Sequence, residues 1–543
     1  MQIILGCEPN AILHFARNEL EKYCTLFMEQ KRLKSQIDLT TVEFHIQAIP
    51  PDFSKKFAPI YLQYLQAEQK DSYGLYYQGN QAYFFGKHSR GVLYGVYDFL
   101  KILGFRWYFP DKKYELVKVS DFNLNKISKI EIPAIARRGL VVNGSLKTIS
   151  AWIDFAGKNR LNVIALNDVK WYYRVQDDAI VRGIDLELYQ RTLGKDFCTT
   201  EKRSFARSLK QFQKYMESIP PSVSEISCFH SGGDIDRCSC AVDPQYNISD
   251  RILFRTNLLI NTNKVNPRQK VGFLAEMHSW KLPLRIRPHP QVNLVLSPKH
   301  RCYSHSIDDP FCKLNKNLVS GSIKRYIDWF ERENNHNRTM LGHWLDPSYF
   351  GANSFEAFGF QRGISQGRLP HLPRVVARDI QYCNDHGFDT ILSYCFNLDE
   401  TYLHIFTSPI ICLFPSLLWN PRLDIERFMG DFCLNFFNNE DTRLFYDQGE
   451  ILDPKDINLK GFKDFLRLTK KRREKYAEIL HTNPPIKVKK RLEQYLIEQN
   501  FKLGWKKRYI FARIRGIIDQ IKFQITRSEE HTFELQSPNT ISY

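Results

Sequence analysis

The sequence predicts an α/β protein in three consecutive parts: a small α+β domain, a parallel sheet and a basic helical segment. In the middle of the chain, short apolar runs alternate with stretches of helical periodicity, which is typical of parallel β–α units. The first part instead contains a hairpin signal, Gly79-Asn80, between two strand-like runs. The last part has only helical periodicity and is dense in Lys and Arg.

Composition limits the class of protein. With 543 residues, 43% hydrophobic and 25% charged, the chain is globular and too long for one ordinary domain. Its net charge of +18 indicates either attraction to polyanions or a solvated basic tail, since Lys and Arg concentrate toward the C-terminus. No nucleic-acid-binding motif accompanies this charge, so nucleic acid is not an expected partner.

The sequence has no apolar run long enough to span a membrane, so no membrane association is expected. The N-terminal residues MQIILGCEPN lack the basic region and the apolar core of a signal peptide. We therefore expect a cytoplasmic protein, or an export signal missing from this N-terminus. The 12 Cys residues are scattered, and reduced, buried thiols are expected in the cytoplasm.

Residues 1–128 are predicted to form the α+β domain. Its strands are expected at residues 3–5, 42–46, 74–78 and 81–86. One helix is expected at residues 10–23. A second helix is expected to begin at Ser89, a candidate N-cap, and to end at Gly104.

Residues 129–440 are predicted to hold the parallel sheet. Strands are expected at residues 138–142, 162–166, 223–229, 271–277, 292–297, 339–344 and 390–395. Helices are expected at residues 148–159, 201–216, 249–262, 319–333, 372–384 and 423–437. Residues 167–196 are polar and weakly periodic, and no strand is assigned there.

The remaining chain divides into two parts. Residues 441–526 are predicted to form basic helices, at residues 462–480, 488–503 and 507–523. Residues 527–543 begin with RSEEHTFELQSPN, which closely resembles a translated sequencing adaptor. We expect this tail to be non-native and leave it out of the predicted fold.

Polar, ring-bearing residues follow two of the predicted strands. His278 and Trp280 follow the run VGFLAEM, and Arg301 and Tyr303 follow the run VNLVLS. In parallel α/β folds, the residues just beyond the carboxyl ends of the strands form the site. These side chains are therefore candidates for binding a ligand.

The same region carries a resemblance to a known family. The order of RPHPQVNLVLSPKHRCYSHSIDDPFC, a helix ending in IDWF and a later LLWNP resembles the domain of unknown function 4838 family, part of which is classed as glycoside hydrolase family 163. Over residues 1–440, this resemblance implies a (β/α)8 TIM-like barrel behind a small α+β domain. It also implies activity on glycans that contain N-acetylglucosamine. The segment GKHSRGVLYGVYDFLKILGFRWYFP is similar to the domain that precedes the barrel in hexosaminidases and α-glucuronidases.

Three predicted strand ends offer the carboxylates that glycoside hydrolysis needs. Asp234 and Asp236 lie in HSGGDIDRCSC, Asp346 lies in GHWLDPSYFG, and Asp399-Glu400 lies in FNLDETYLH. The last pair resembles the Asp-Glu pair of family 20 hexosaminidases, in which the Glu is the acid and the Asp holds the acetamide. A structural role, as a loop lock or helix cap, stays an alternative at each site.

We predict a glycoside hydrolase in which the substrate acetamide attacks the anomeric carbon. Asp234 is predicted to orient the acetamide or act as the acid, and Asp346 to be its partner, with Asp236 and Glu400 as further candidates. The sugar-binding side chains are expected at strand ends. They are His230, His278, Trp280, Arg301, Tyr303, His343, Trp344, Tyr394 and Asn397.

Two alternatives to this function stay open. One is a non-catalytic glycan-binding protein on the same fold, which is favoured by Gly342, because the family often has a Glu at that position. The other is an α-glucuronidase-like enzyme on acidic sugars, which the positive charge would suit. A pocket with two facing carboxylates would favour either enzyme over the binding protein.

No cofactor or metal is expected. The chain lacks the glycine-rich phosphate-binding motifs, the zinc-protease motif and the nucleophile elbow of hydrolases. Two Cys-containing segments invite a zinc site, but C-x-C is not the usual zinc-binding spacing and free thiols or a disulfide are favoured. The residues concerned are Cys238, Cys240, Cys302, His305 and Cys312.

Overall fold

The computed structural model describes residues 1–31, 38–47, 70–110, 115–117, 123–190, 202–228, 247–262, 269–276, 279–299, 301, 305–313, 315–316, 321–333, 335–345, 373–395 and 408–437. The helices expected at residues 441–526 and the tail at residues 527–543 lie outside these ranges. Two compact units are present. The first comprises Met1–Trp344, Ala377–Phe396 and Cys412–Leu423, and the second comprises Leu345–Val376, Asn397–Ile411 and Asp424–Tyr543.

The first unit begins with a mixed β-sheet. The strands up to residue 131 are β1 (Gln2–Leu5), β2 (Glu43–Ile46), β3 (Tyr73–Gln78), β4 (Gln81–Gly86), β5 (Phe105–Trp107), β6 (Glu115–Val117) and β7 (Ser128–Glu131). Five of them pair in the order β1-β2-β4-β3-β7, while β5 pairs with β6. The predicted hairpin is confirmed, because Gly79 and Asn80 have φ angles of +53° and +66°, as its tight turn requires.

Two helices, α1 (Ala11–Lys31) and α2 (Ser89–Ile102), pack together and bury their apolar faces against this sheet. Asn10 caps α1, since its Oδ1 accepts hydrogen bonds from the amides of Ile12 and Leu13, each at 3.1 Å. The predicted N-cap of α2, Ser89, is wrong by one residue, because His88 occupies that position. The Ser89 hydroxyl instead accepts a hydrogen bond from Asn10 Nδ2 at 2.6 Å, which links the starts of the two helices.

Eight parallel strands then close into a barrel, which confirms the (β/α)8 architecture. The strands are β8 (Arg137–Val142), β9 (Val163–Leu166), β10 (Asp185–Gln190), β11 (Glu225–Cys228), β12 (Lys270–Ala275), β13 (Val292–Leu296), β14 (Arg338–Gly342) and β15 (Thr390–Tyr394). The remaining helices are α3 (Leu146–Lys158), α4 (Val169–Val181), α5 (Lys202–Ser218), α6 (Ile248–Thr262), α7 (Gly321–Arg332), α8 (Pro373–Asp385), α9 (Ser408–Trp419) and α10 (Ile425–Phe437). The domain boundaries at residues 128 and 440 stay predictions.

Strand β10 lies where the sequence assigned none. Its acidic and aromatic side chains alternate with leucines. The face that carries Glu187 points into the barrel, where an ordinary barrel strand has apolar residues. Leu186 and Leu188 alternate with Glu187, which is fully buried and forms an ion pair with Arg137 of β8. A charged residue is stable inside the barrel because its partner comes from another strand, and the segment alone does not reveal that partner.

The connection between β12 and β13 contains no α-helix in its described part, residues 279–291. Pro283, Pro288 and Pro290 lie in this segment, and proline disrupts helices. Side chains of α6 bond to the extended backbone instead: Asp250 Oδ1 accepts from the Arg285 amide at 2.8 Å, and Asn257 Oδ1 from the His289 amide at 3.0 Å. These bonds satisfy backbone groups that a helix would otherwise pair.

A buried polar network joins the α+β sheet to the amino ends of the barrel strands. Asp71 accepts hydrogen bonds from Arg138 Nη2 at 2.5 Å, Arg90 Nε at 2.6 Å and Asn162 Nδ2 at 2.8 Å. Burial alone would raise the pKa of Asp71, but Arg138 and Arg90 outweigh burial and lower it. This network fixes the first domain at the end of the barrel opposite to the carboxyl ends.

Trp419, in the LLWNP motif, completes the junction. The guanidinium carbons of Arg160 and Arg138 lie 4.4 and 5.1 Å from its ring centroid. Its indole nitrogen donates a hydrogen bond to Glu131 Oε2 at 2.9 Å, and its ring lies 5.5 Å from that of Tyr73. The motif therefore has a structural role between the sheet and the barrel.

Candidate active site at the carboxyl ends of the barrel strands

The barrel interior contains an apolar layer below its carboxyl end. Its members alternate along the strands with residues that face the surrounding helices. They include Val141, Ala165, Leu274, Val295, Leu341 and Leu392. Two residues further along four neighbouring strands, β12 to β15, the inward positions become polar or aromatic. These positions are Glu276, Ser297, His343 and Tyr394.

Three of these residues form a cluster. Ser297 Oγ lies 3.2 Å from His343 Nε2, and either group can be the donor, depending on the imidazole tautomer. The imidazole ring packs against the Tyr394 ring, with centroids 4.6 Å apart and planes inclined by 30°. All three residues are buried. The structure thus brings together two predicted sugar-binding residues, His343 and Tyr394, and adds Ser297.

Arg301 and Trp344 meet at a residue that the sequence interpretation missed. Both oxygens of Asp379, on α8, contact the Arg301 guanidinium, with Nη1 3.1 Å from Oδ1. Trp344 Nε1 donates to Asp379 Oδ2 at 2.9 Å, and the Ile307 amide donates to Oδ1 at 2.7 Å. Burial raises the pKa of Asp379, while Arg301 and the Trp344 indole oppose that rise. The group locks the segments that follow β13 and β14 onto α8.

Packing against Trp344 explains why a glycine occupies position 342. A Cβ atom built at this position would overlap the six-membered ring of Trp344, whose indole is held by Asp379. Trp344 also packs on Phe414, with ring centroids 5.6 Å apart. A Glu at position 342 would therefore have to displace a buried tryptophan.

The predicted catalytic carboxylates lie outside the described residues, and their roles stay predictions. These residues are Asp234, Asp236, Asp346 and Glu400. The same holds for four predicted sugar-binding residues, His230, His278, Tyr303 and Asn397. Trp280 is described, and its half-buried ring lies 6.5 Å from that of Tyr326. Among the described residues, no three His, Cys, Asp or Glu side chains are grouped to hold a metal ion.

The residues that were missed carried a weak signal. Glu276 lies in the run VGFLAEM, whose other residues are apolar or glycine, and its position continues the inward alternation of Gly272 and Leu274. Asp379 lies on the buried stripe of α8, with Val376 and Cys383 at helical spacing. A charge on a buried stripe indicates a partner, but the sequence does not identify it.

The amino half of the barrel interior is also polar. Tyr189 OH and Asn293 Nδ2 donate to Glu225 Oε1, at 3.0 and 2.6 Å. Burial raises the pKa of Glu225, and Arg137 acts in the opposite direction. Glu225 is the first residue of β11, so it lies at the end of the strand far from the Ser297–His343–Tyr394 cluster.

Two comparisons with known proteins found no match. No family model matches the chain, and no curated protein matches it. Membership of the domain of unknown function 4838 family therefore stays a prediction. None of the helices in the described ranges is both long and apolar enough to cross a bilayer.

Several solved structures of glycoside hydrolases are similar to this chain. A GH115 4-O-methyl-α-glucuronidase with specificity for decorated arabinogalactans is 10% identical, and the match covers 97% of this chain and 72% of that one, with a TM-score of 0.52. A GH20 β-N-acetylhexosaminidase from Streptomyces coelicolor A3(2) is 10% identical over 82% of this chain and 90% of that one, with a TM-score of 0.49. A GH138 enzyme targeting pectin rhamnogalacturonan II is 10% identical over 82% of this chain, with a TM-score of 0.46. The match covers 55% of that enzyme, about half of its length. At such identities the similarity concerns the fold.

Proposed function

We propose that the chain is a glycoside hydrolase whose active site lies at the carboxyl ends of the barrel strands. The observation that carries the proposal is the Ser297–His343–Tyr394 cluster on the inner face of three neighbouring strands. Aromatic rings pack on the C–H face of a sugar, and imidazole and hydroxyl groups bond to sugar hydroxyls. The opposite end of the barrel is occupied by the α+β domain, which leaves the carboxyl end for substrate.

We propose glycans containing N-acetylglucosamine as the substrate, as the family resemblance implies. In this mechanism the acetamide oxygen of the substrate attacks the anomeric carbon, and a protonated carboxyl group donates its proton to the leaving oxygen. A second carboxylate orients the acetamide. The sequence offers Asp234 and Asp346 as candidates for these tasks.

A second candidate substrate is an acidic sugar such as a glucuronide. Two observations support it: the net charge of +18, and the similarity in fold to a GH115 α-glucuronidase over 97% of this chain. A positively charged protein attracts anionic glycans at long range. A non-catalytic glycan-binding protein stays an alternative, because Gly342 lies at a position where the domain of unknown function 4838 family, which this chain resembles, often has a Glu.

The test is hydrolysis of an aryl β-N-acetylglucosaminide, an aryl α-glucuronide and an N-glycan by the wild type, Asp234→Asn and Asp346→Asn. Turnover of one substrate class, with a loss of about 10²-fold or more in the variants and unchanged melting temperatures, would support the hydrolase and select the substrate. Glu217→Gln, on the exposed face of α5, is the matched control and should match the wild type. Saturable glycan binding without turnover would contradict the hydrolase and favour the binding protein.

A further inference from the structure

We propose that Glu276 is the proton donor of the hydrolysis, a role that rests on the proposed function. Glu276 directly follows β12 at its carboxyl end and is half-buried. The strand alternation that turns Leu274 into the barrel places Glu276 on the same inward face. It is therefore a carboxyl group at the mouth of the barrel.

The pairing of β12 with β13 places Glu276 beside the Ser297–His343–Tyr394 cluster. Leu274 pairs with Val295 and Ala275 with Leu296, so the next pair in register is Glu276 with Ser297. The Ser297 amide donates to the Ala275 carbonyl at 3.0 Å, which shows that the strands are still paired at this point. Same-face neighbours on paired strands have Cβ atoms about 5 Å apart, within reach of a Glu side chain.

The backbone of Glu276 is held on both sides. Its amide donates to Ser279 Oγ at 2.9 Å, and its carbonyl accepts from the Ser279 amide at 2.6 Å. Ser279 is itself buried, and its hydroxyl also bonds to the Leu274 carbonyl at 3.3 Å. The tight turn after β12 therefore fixes the base of the Glu276 side chain, as a positioned catalytic group requires.

The proposed chemistry needs one proton from Glu276 in each turnover. The carboxyl O–H bond breaks and an O–H bond forms on the glycosidic oxygen, while the bond from that oxygen to the anomeric carbon breaks and its electron pair goes to the oxygen. When water later attacks the anomeric carbon, the bond from that carbon to the acetamide oxygen breaks and its electron pair returns to the acetamide. The Glu276 carboxylate takes a proton from the water and so regains its starting state. Asp234 or Asp346 would then be the carboxylate that holds the acetamide.

Leaving-group dependence tests this role, because a good leaving group needs no proton. Glu276→Gln and the wild type are assayed on 2,4-dinitrophenyl and phenyl glycosides of the sugar that the wild type accepts. We expect Glu276→Gln to lose about 10²- to 10⁴-fold in kcat/KM on the phenyl glycoside and less than about 10-fold on the dinitrophenyl glycoside. Glu276→Asp keeps an acid but shortens it, and should lose less on the phenyl glycoside.

Glu217→Gln should show wild-type kinetics on both glycosides. Equal losses on the two glycosides would overturn the acid role, because a structural or binding defect does not depend on the leaving group, and so would an undiminished Glu276→Gln. If Glu276→Gln fails to fold, Glu276→Asp is assayed on the same two glycosides. A larger loss on the phenyl glycoside than on the dinitrophenyl glycoside then supports the acid role, and equal losses overturn it. A wild type inactive on every sugar tested would overturn the hydrolase itself and, with it, this role.

Discussion

The two ends of the barrel use buried polar residues in different ways. At the amino end, Asp71 has three donors, and Arg138 also bonds to the carbonyls of Ile135 and Ala136. At the carboxyl end, the Ser297–His343–Tyr394 cluster holds uncharged or titratable groups joined by one hydrogen bond and one ring contact. Charges that are paired within the protein make a rigid junction, whereas hydroxyl, imidazole and phenol groups at the carboxyl ends of barrel strands are placed to contact substrate. Substitutions should therefore cost stability in the Asp71 network and activity in the Ser297–His343–Tyr394 cluster.

The largest expected loss of stability follows Asp71→Ala. This change leaves Arg138, whose side chain is fully buried, without its carboxylate, and breaking a buried ion pair costs about 3–5 kcal/mol. The free energy of unfolding, measured by urea denaturation at pH 7, should fall by that amount. Lys170→Ala, which removes an exposed partner of Asp168, is the matched control and should cost less than about 1 kcal/mol.

The pH dependence of this difference follows from the lowered pKa of Asp71. A carboxyl whose folded-state pKa is depressed stabilises the protein above its unfolded pKa, about 3.9 for Asp. That stabilisation is lost as the pH falls through the folded pKa. The gap between wild type and Asp71→Ala should therefore be full at pH 6–7 and narrow below about pH 4. Equal losses for Asp71→Ala and Lys170→Ala would contradict the comparison of the two ends.

The sequence predicts local features of this fold better than distant partnerships. Gly79-Asn80 identifies its hairpin because the turn depends on those two residues alone. Strand β10 is not evident from the sequence because it contains the buried Glu187. Glu187 is stable inside the barrel because it pairs with Arg137, which lies 50 residues away in the sequence. Barrel closure also followed from resemblance rather than from periodicity, since alternating strands and helices are equally compatible with an open sheet.

The site was predicted only in part, for the same reason. Strand ends are visible in the sequence, so His343 and Tyr394 could be proposed, and the structure brings their rings together. Ser297 and Glu276 are ordinary residue types at the ends of apolar runs, and their significance comes from the pairing of neighbouring strands. Asp379 required the tertiary contact to Arg301, which no spacing encodes.

The next largest effect should follow Gly342→Ala at the carboxyl end. The added Cβ would overlap the Trp344 ring, and overpacking a rigid core costs about 1–3 kcal/mol. The matched control is Gly430→Ala in α10, where a Cβ meets no atom within 4 Å and removal of a helical glycine stabilises by about 1 kcal/mol. Opposite shifts in melting temperature are expected. A Gly342→Ala variant with the melting temperature of the wild type would contradict the packing explanation for this glycine.

A smaller loss of stability is expected from Ser297→Ala, which removes the hydroxyl beside His343 Nε2. Loss of one hydrogen bond costs about 1 kcal/mol, so the urea midpoint should shift slightly. Activity should fall by more than stability does, because the hydroxyl lies within the proposed substrate-binding cluster. Ser416→Ala on α9, whose hydroxyl bonds to the Cys412 carbonyl, is the control. It should leave activity unchanged.

The smallest expected effect is a gain, from Glu225→Gln in the amino half of the barrel interior. Because burial raises the pKa of Glu225, its protonated form favours the folded state. That contribution is present below the unfolded pKa, about 4.3 for Glu, and is lost as the pH rises through the folded pKa. A glutamine keeps the accepting oxygen for Tyr189 and Asn293 and carries no charge at any pH. We expect Glu225→Gln to gain less than about 1 kcal/mol.

The pH dependence of this stability difference also involves Glu187. Glu187, the cross-strand neighbour of Glu225, has a buried Oε2 that accepts no hydrogen bond from the described residues. A protonated Glu225 or a glutamine amide offers that oxygen a donor, and a Glu225 carboxylate does not. The stability of Glu225→Gln relative to wild type, measured by urea denaturation, should therefore grow over the range in which the pH rises above about 4.3, the unfolded pKa of Glu. A difference that shrinks over that range would mean that Glu225 is held ionised by Arg137, and the amino end would then consist wholly of paired charges.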